Sequence, residues 1–110
     1  MKVAIPRFEE RVAPCFEYCA TMAIFTIENG QIVEQIDFPL HSRVPFDRVR
    51  LLRDQGVETL ICGGVQEVFE GFLQANGIRS ICWVSGNVEE LLRDFLAGRL
   101  VPGTGRLGGG

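Results

Sequence analysis

The sequence predicts an α/β domain: a mixed five-stranded sheet of order 3-2-1-4-5, covered by about three helices. Two observations carry this. Asn29-Gly30 stands between two runs of β-formers, and Asn-Gly is the strongest short hairpin signal because both turn positions need positive φ. From residue 45 onward helical and strand patterns alternate, a pattern that lays parallel strands beside one another with helices between. Right-handed crossovers then make the fourth and fifth strands parallel to the first.

The elements follow in order. Lys2–Pro6 (KVAIP) reads as the first strand, ending at its proline, and residues 7 to 20 as a loop with at most one helical turn. Thr21–Glu28 is dense in β-formers without strict alternation. Gln31–Phe38 resumes as a strand with Ile32, Glu34, Ile36 and Phe38 on one face. After a connection carrying His41, apolar residues at 46, 49 and 52 have helical spacing, with Gly56 as the stop. VETLICGG is a buried strand that ends in a glycine pair. The next helix sets Val65, Val68, Phe69, Phe72 and Leu73 on one face. IRSICWV is the last strand. Asn87 is placed to cap a final helix whose first turn holds Glu89 and Glu90, the favourable end for acids.

The chain has 110 residues, enough for one domain with a core that needs no disulfide or metal. The expected domain covers residues 1–100, and the glycine-rich stretch 101–110 is expected to be a flexible tail. A net charge of −3 argues against a nucleic-acid partner, which requires a basic face to offset phosphate. No apolar run reaches the length of a signal-peptide core or a membrane span. The expected location is therefore the cytoplasm, where the four cysteines stay reduced.

The topology gathers the sulfurs. If the first, third, fourth and fifth strands point the same way, Cys15 and Cys19 follow the first, His41 follows the third, and Cys62 and Cys82 end the fourth and fifth. Ligands of open α/β sheets sit outside the carboxyl ends of strands, where the order reverses. Cys15, Cys19 and Cys62 line that point, and Gly63 and Gly64 let backbone amides approach an anion near a helix N-terminus. His41 and Cys82 lie on the flanks. Each residue has a plain packing alternative: Cys62 and Cys82 stand in apolar runs, and free cysteine is among the most buried residue types. The Cys15–Cys19 spacing is not that of zinc ribbons, and Gly63-Gly64 also suits a tight strand-to-helix turn.

At MKVAIP, RVAPCFEYCATMAIFTIENGQIVEQ, LLRDQGVETLICGGV, FLQANGIR and VEELLRDFLAGRL the sequence resembles the dinitrogenase iron–molybdenum cofactor biosynthesis family of NifX-like carriers and stand-alone relatives. The resemblance implies a ribonuclease-H-like three-layer fold. It also implies non-enzymatic binding of an iron–sulfur or molybdenum–iron–sulfur cluster for storage, assembly or delivery to a partner protein. Many members carry His-Phe-Gly where this chain has Cys15-Phe16-Glu17. Thiolates are good iron ligands. On this reading Cys15 and Cys19 hold metal with support from Cys62 and His41, while Arg11 and the Gly63 and Gly64 amides meet the cluster's negative charge.

Three rivals stand beside it. A two-metal nuclease needs clustered carboxylates, one of them on the first strand, and KVAIP has none. A redox enzyme needs a strongly acidified thiol, and no lysine or histidine in the 11–20 loop supplies that. A ligand-free interaction module needs only structural cysteines.

Overall fold

A computed structural model describes residues 1–105. Its elements are β1 (Lys2–Phe8), β2 (Arg11–Val12), β3 (Thr21–Glu28), β4 (Gln31–Pro39), α1 (Phe46–Asp54), β5 (Thr59–Ile61), α2 (Glu67–Ala75), β6 (Arg79–Ile81) and α3 (Val88–Leu96). The sheet path is β4-β3-β1-β5-β6, with β2 attached to β1 off that path. β1, β5 and β6 are mutually parallel, and β3 runs antiparallel to both β1 and β4.

The labels differ from the expected 3-2-1-4-5 because of β2, a sixth strand within the predicted loop. β1 does not stop at Pro6 but continues to Phe8, turns through Glu9 and Glu10, and returns as β2 with Phe8 opposite Arg11. Glu9 takes φ 54° in this turn, a conformation glutamate rarely signals. Pro6 is tolerated in the central strand because β5 pairs only with Val3 and Ala4. Beyond Ala4 there is no parallel neighbour whose ladder a missing N–H would break. The carbonyl of Pro6 accepts from the Ala13 N–H at 2.8 Å.

Asn29 and Gly30 form the expected hairpin, with φ 55° and 75°. The single face expected of β4 is broken by a bulge: Thr26 pairs Glu34, but Ile27 pairs Ile32. One extra residue, Val33, turns Ile32 to the side of Phe25, Leu92 and Leu96, whereas Phe38 packs against the opposite core. Such a slip exchanges faces because the strand period is two.

Alternation along β1 and β3 feeds two cores. Ala4, Met22 and Ile24 meet Val49 and Leu52 of α1 and Leu73 of α2 on one face. Val3, Ile5, Ala23 and Phe25 meet Val88, Leu91 and Leu92 of α3 on the other. The result is an open three-layer α/β/α arrangement. The face expected of α2 is narrower than predicted. Val68 is exposed, and Phe72 lies at the margin, edge-on to Phe46 with ring centroids 4.9 Å apart. The α3 cap is as expected: the Asn87 side chain accepts from the Glu90 N–H at 3.2 Å.

The stretch after residue 100 does not begin as a free tail. Leu100 is buried in the α3-side core, Gly103 donates to the Cys82 carbonyl at 3.1 Å, and the Ser85 N–H donates to the Thr104 carbonyl at 2.9 Å. Positive φ at Gly103 and Gly105 makes this docked turn possible. The remainder of the expected tail, 106–110, lies outside the described residues.

Two glycines separate packing need from accident. A Cβ on Gly63 would lie 2.6 Å from the Ala13 carbonyl oxygen, whereas one on Gly71 of α2 meets nothing within 4 Å. Gly63→Ala is expected to lower unfolding free energy by about 1–3 kcal/mol, the usual range for overpacking. Gly71→Ala should raise it by about 1 kcal/mol through helix propensity. Urea denaturation of the two variants checks both signs.

Candidate functional site

The chain after β2 docks on the end of β5. Gly64 donates to the Pro14 carbonyl at 2.8 Å, and Phe16 donates to the Gly64 carbonyl at 2.9 Å, so Cys15 and Gly64 form a parallel bridge. Cβ atoms on Gly63 and Gly64 would collide with the Ala13 and Pro14 carbonyls and crowd the Trp83 ring. The glycines therefore give room for the cysteine loop. Of the two amides expected to approach an anion, the Gly64 N–H is already committed to Pro14.

Phe16 anchors the loop by complete burial, which leaves the residues on either side to carry polarity. Glu17 is one of three buried polar or charged residues among those described. Its Oε2 accepts the Cys15 thiol at 2.9 Å and its Oε1 accepts the Gln66 N–H at 2.6 Å. Gln66 is the N-cap of α2 and supplies no side-chain cap of its own. The anion expected at this helix N-terminus is thus the protein's own carboxylate, set where the dipole favours it.

Cys15 is partly exposed, while Cys19, Cys62 and Cys82 are buried. Burial, and then the hydrogen bond to Glu17, push the Cys15 thiol above its ordinary range. Cys19 rises to about 11, chiefly by burial and against the pull of the neighbouring Arg48 guanidinium. Arg48 is itself buried; it donates to the Cys19 carbonyl at 2.8 Å and to the Ser42 carbonyl at 3.0 Å, clipping the β4–α1 connection to the cysteine loop. His41, in that connection, is exposed. Among the described residues no group of three or more His, Cys, Asp or Glu is arranged to hold a metal ion. Cys15 and the Cys62-Gly63-Gly64 end of β5 do share one rim; a closed cage of Cys15, Cys19, Cys62 and His41 does not form.

Beside the glycines opens a cavity of about 440 Å³, lined by Phe8, Arg11, Pro14, Gly63, Gly64 and Trp83, with Ser85 and Gly86 at its edge. It sits beyond the carboxyl ends of β1, β5 and β6, at the point of strand-order reversal. Trp83 has φ 63° and is 46% exposed. For so bulky a residue that backbone is strained, as is common at ligand sites. Arg11 gives the cavity a cation, and the ring surfaces give it apolar walls. Such a site suits a compact anion with a polarizable surface.

A family model described as dinitrogenase iron–molybdenum cofactor matches residues 1–98. The chain belongs to this family. Among solved structures, PH0822 superposes with a TM-score of 0.86 at 19% identity, covering 91% of this chain and 92% of that one. A Thermotoga protein provisionally described as NifB has a TM-score of 0.67 at 29% identity, with 99% and 98% covered. The apo form of the orange protein from Desulfovibrio gigas gives 0.74 at 20% identity, with 90% and 89% covered. No curated protein matches. The match to the iron–molybdenum cofactor family covers both sides of the cavity, from β1 through α3.

Glu17, Arg48 and Trp83 were not singled out from the sequence. Glu17 stands two residues after Cys15 in an otherwise apolar turn, which is its one visible signal. Glu17→Ala is expected to cost about 1–3 kcal/mol by leaving the Gln66 N–H unsatisfied. It should also speed alkylation of Cys15 at neutral pH, because removing the carboxylate lowers the thiol's pKa and raises its thiolate fraction. Thermal unfolding and iodoacetamide kinetics with peptide mapping measure the two effects.

Proposed function

We propose that this chain binds a metal–sulfur cluster, of iron–sulfur or molybdenum–iron–sulfur type, and holds it without catalysis for storage, assembly or delivery. The observation that carries the reading is the 440 Å³ cavity at the strand-order reversal, where Arg11 meets apolar walls. Metal–sulfur clusters are anionic and soft, so a guanidinium with aromatic and aliphatic surface complements them. Family membership over residues 1–98 supports the same cargo class. The placement of α1 and α2 on one face and α3 on the other also supports the ribonuclease-H-like designation of the fold.

Within this reading the roles of the expected residues change. Arg11 is the primary contact, and Gly63 and Gly64 act by the room they leave rather than by their amides. Cys15, next in sequence to the lining residue Pro14, is the first thiolate donor and binds once it leaves Glu17. Cys19 and Cys62 are buried reserves that reach metal only if the 14–19 loop lifts, and His41 is an outer ligand at most. The partner is a cluster donor or acceptor protein in the cytoplasm, with no role for nucleic acid or membrane. Among the described residues no helix is long and apolar enough to cross a membrane.

The burial of Cys19, Cys62 and Cys82 favours one alternative, a ligand-free interaction module with structural cysteines. Anaerobic reconstitution with iron and sulfide separates the two. Wild type is expected to develop visible charge-transfer absorbance, and Arg11→Ala to weaken cluster retention at least ten-fold, since a hydrogen bond to a charged group contributes roughly 1.5–3 kcal/mol. Absence of bound iron and acid-labile sulfide in wild type leaves the interaction module standing. Uptake by a Cys15→Ala, Cys19→Ala double variant equal to wild type removes the thiolates from the ligand set.

A further inference from the structure

We propose that Cys62 and Cys82 form a modification site: a buried cross-strand dithiol that a two-electron oxidant such as hydrogen peroxide closes to a disulfide. The inference does not depend on cluster binding. Its basis is register. β5 and β6 are parallel, with Ile61 opposite Ile81, and the Cys62 N–H donates to the Ile81 carbonyl at 3.0 Å. Cys62 and Cys82 are the next residues on each strand, and both side chains enter the same core. Neighbouring strands lie about 4.8 Å apart, within the roughly 4.4–6.8 Å between Cα atoms that a disulfide spans. Both cysteines are free thiols in this structure.

The two thiols are unequal. Cys62 is fully buried, with no exposed surface of its own. Cys82 is 6% exposed and precedes the exposed Trp83, so it is the sulfur nearer to solvent. The order of events follows. The Cys82 thiolate attacks one peroxide oxygen; the O–O bond breaks, and hydroxide leaves and is protonated to water. The sulfur of Cys62 then attacks the Cys82 sulfenic acid, the S–O bond breaks, and the departing hydroxide takes the Cys62 proton. Two thiols and one peroxide become one disulfide and two waters, with two electrons passing to the peroxide. Cys15 and Cys19 are differently placed, one held by Glu17 and the other beside Arg48.

The bond would tie together the strand ends that continue into Gly63-Gly64 and Trp83, two walls of the cavity. Trypsin makes the test direct, because Cys62 falls on peptide 54–79, Cys82 on 80–93, and Cys15 with Cys19 on 12–43. After brief hydrogen peroxide treatment, thiol blocking and digestion without reductant, the expected product is 54–79 joined to 80–93. It should be two hydrogens lighter than the sum and be released by dithiothreitol. Recovery of both peptides unlinked and fully blocked, or a disulfide confined to 12–43, overturns the proposal. Cys62→Ala is expected to trap the sulfenic acid on Cys82, where dimedone labels it. Absence of that label in the folded variant overturns the attack order and the site with it.

Discussion

The rim that holds the candidate site depends on one close approach of two backbones, residues 13–16 against Gly63 and Gly64. Side chains at either glycine would intrude on the Ala13 and Pro14 carbonyls, so the reciprocal hydrogen bonds between Gly64 and the loop exist only because Cβ is missing twice. That contact closes the sheet end left open where β5 stops. It also fixes the position of Phe16 in the core and thereby the direction of Cys15 and Glu17. One side of the cavity is the outer face of this same junction.

Polar groups at the rim are arranged around that junction in an economical way. Glu17 satisfies the α2 N-terminus and the Cys15 thiol with its two oxygens. Arg48 gathers carbonyls from both the cysteine loop and the β4–α1 connection. Burying either charge without such bonds would be strongly unfavourable, so each also records how tightly the surrounding backbone is held. Because Glu17 serves the helix end internally, positive potential in the cavity rests on Arg11 instead. The structure thus separates a structural anion–dipole contact from an outward-facing cation only a few residues away in sequence.

The architecture was legible where backbone chemistry is explicit. Asn29-Gly30 announced its hairpin, Asn87 its helix cap, and the 46, 49, 52 spacing its helix. Three features left no such mark. The Glu9-Glu10 turn uses a non-glycine residue at positive φ, so β2 read as loop. The Val33 bulge is a register event between strands and has no local signature. Arg48 lies beside the apolar positions of α1, where a long cation ordinarily reaches solvent, and only the neighbouring carbonyls turn it inward. The convergence of Cys15 and Cys62 on one rim followed from topology. Their distance from the cavity did not, because topology places backbones and says nothing of which way a sulfur points.

The outermost strand, β4, has a further consequence. Its nine residues expose Ile32, Val33 and Ile36 and, among the described residues, border no strand on one side. A long straight margin of this kind recruits foreign chains into growing β-assemblies. Here the kink at Val33, the carboxylates of Glu34 and Asp37 and the terminal Pro39 each spoil such recruitment. The irregularity that misdirects Ile32 therefore also makes this margin a poorer template for pairing between copies.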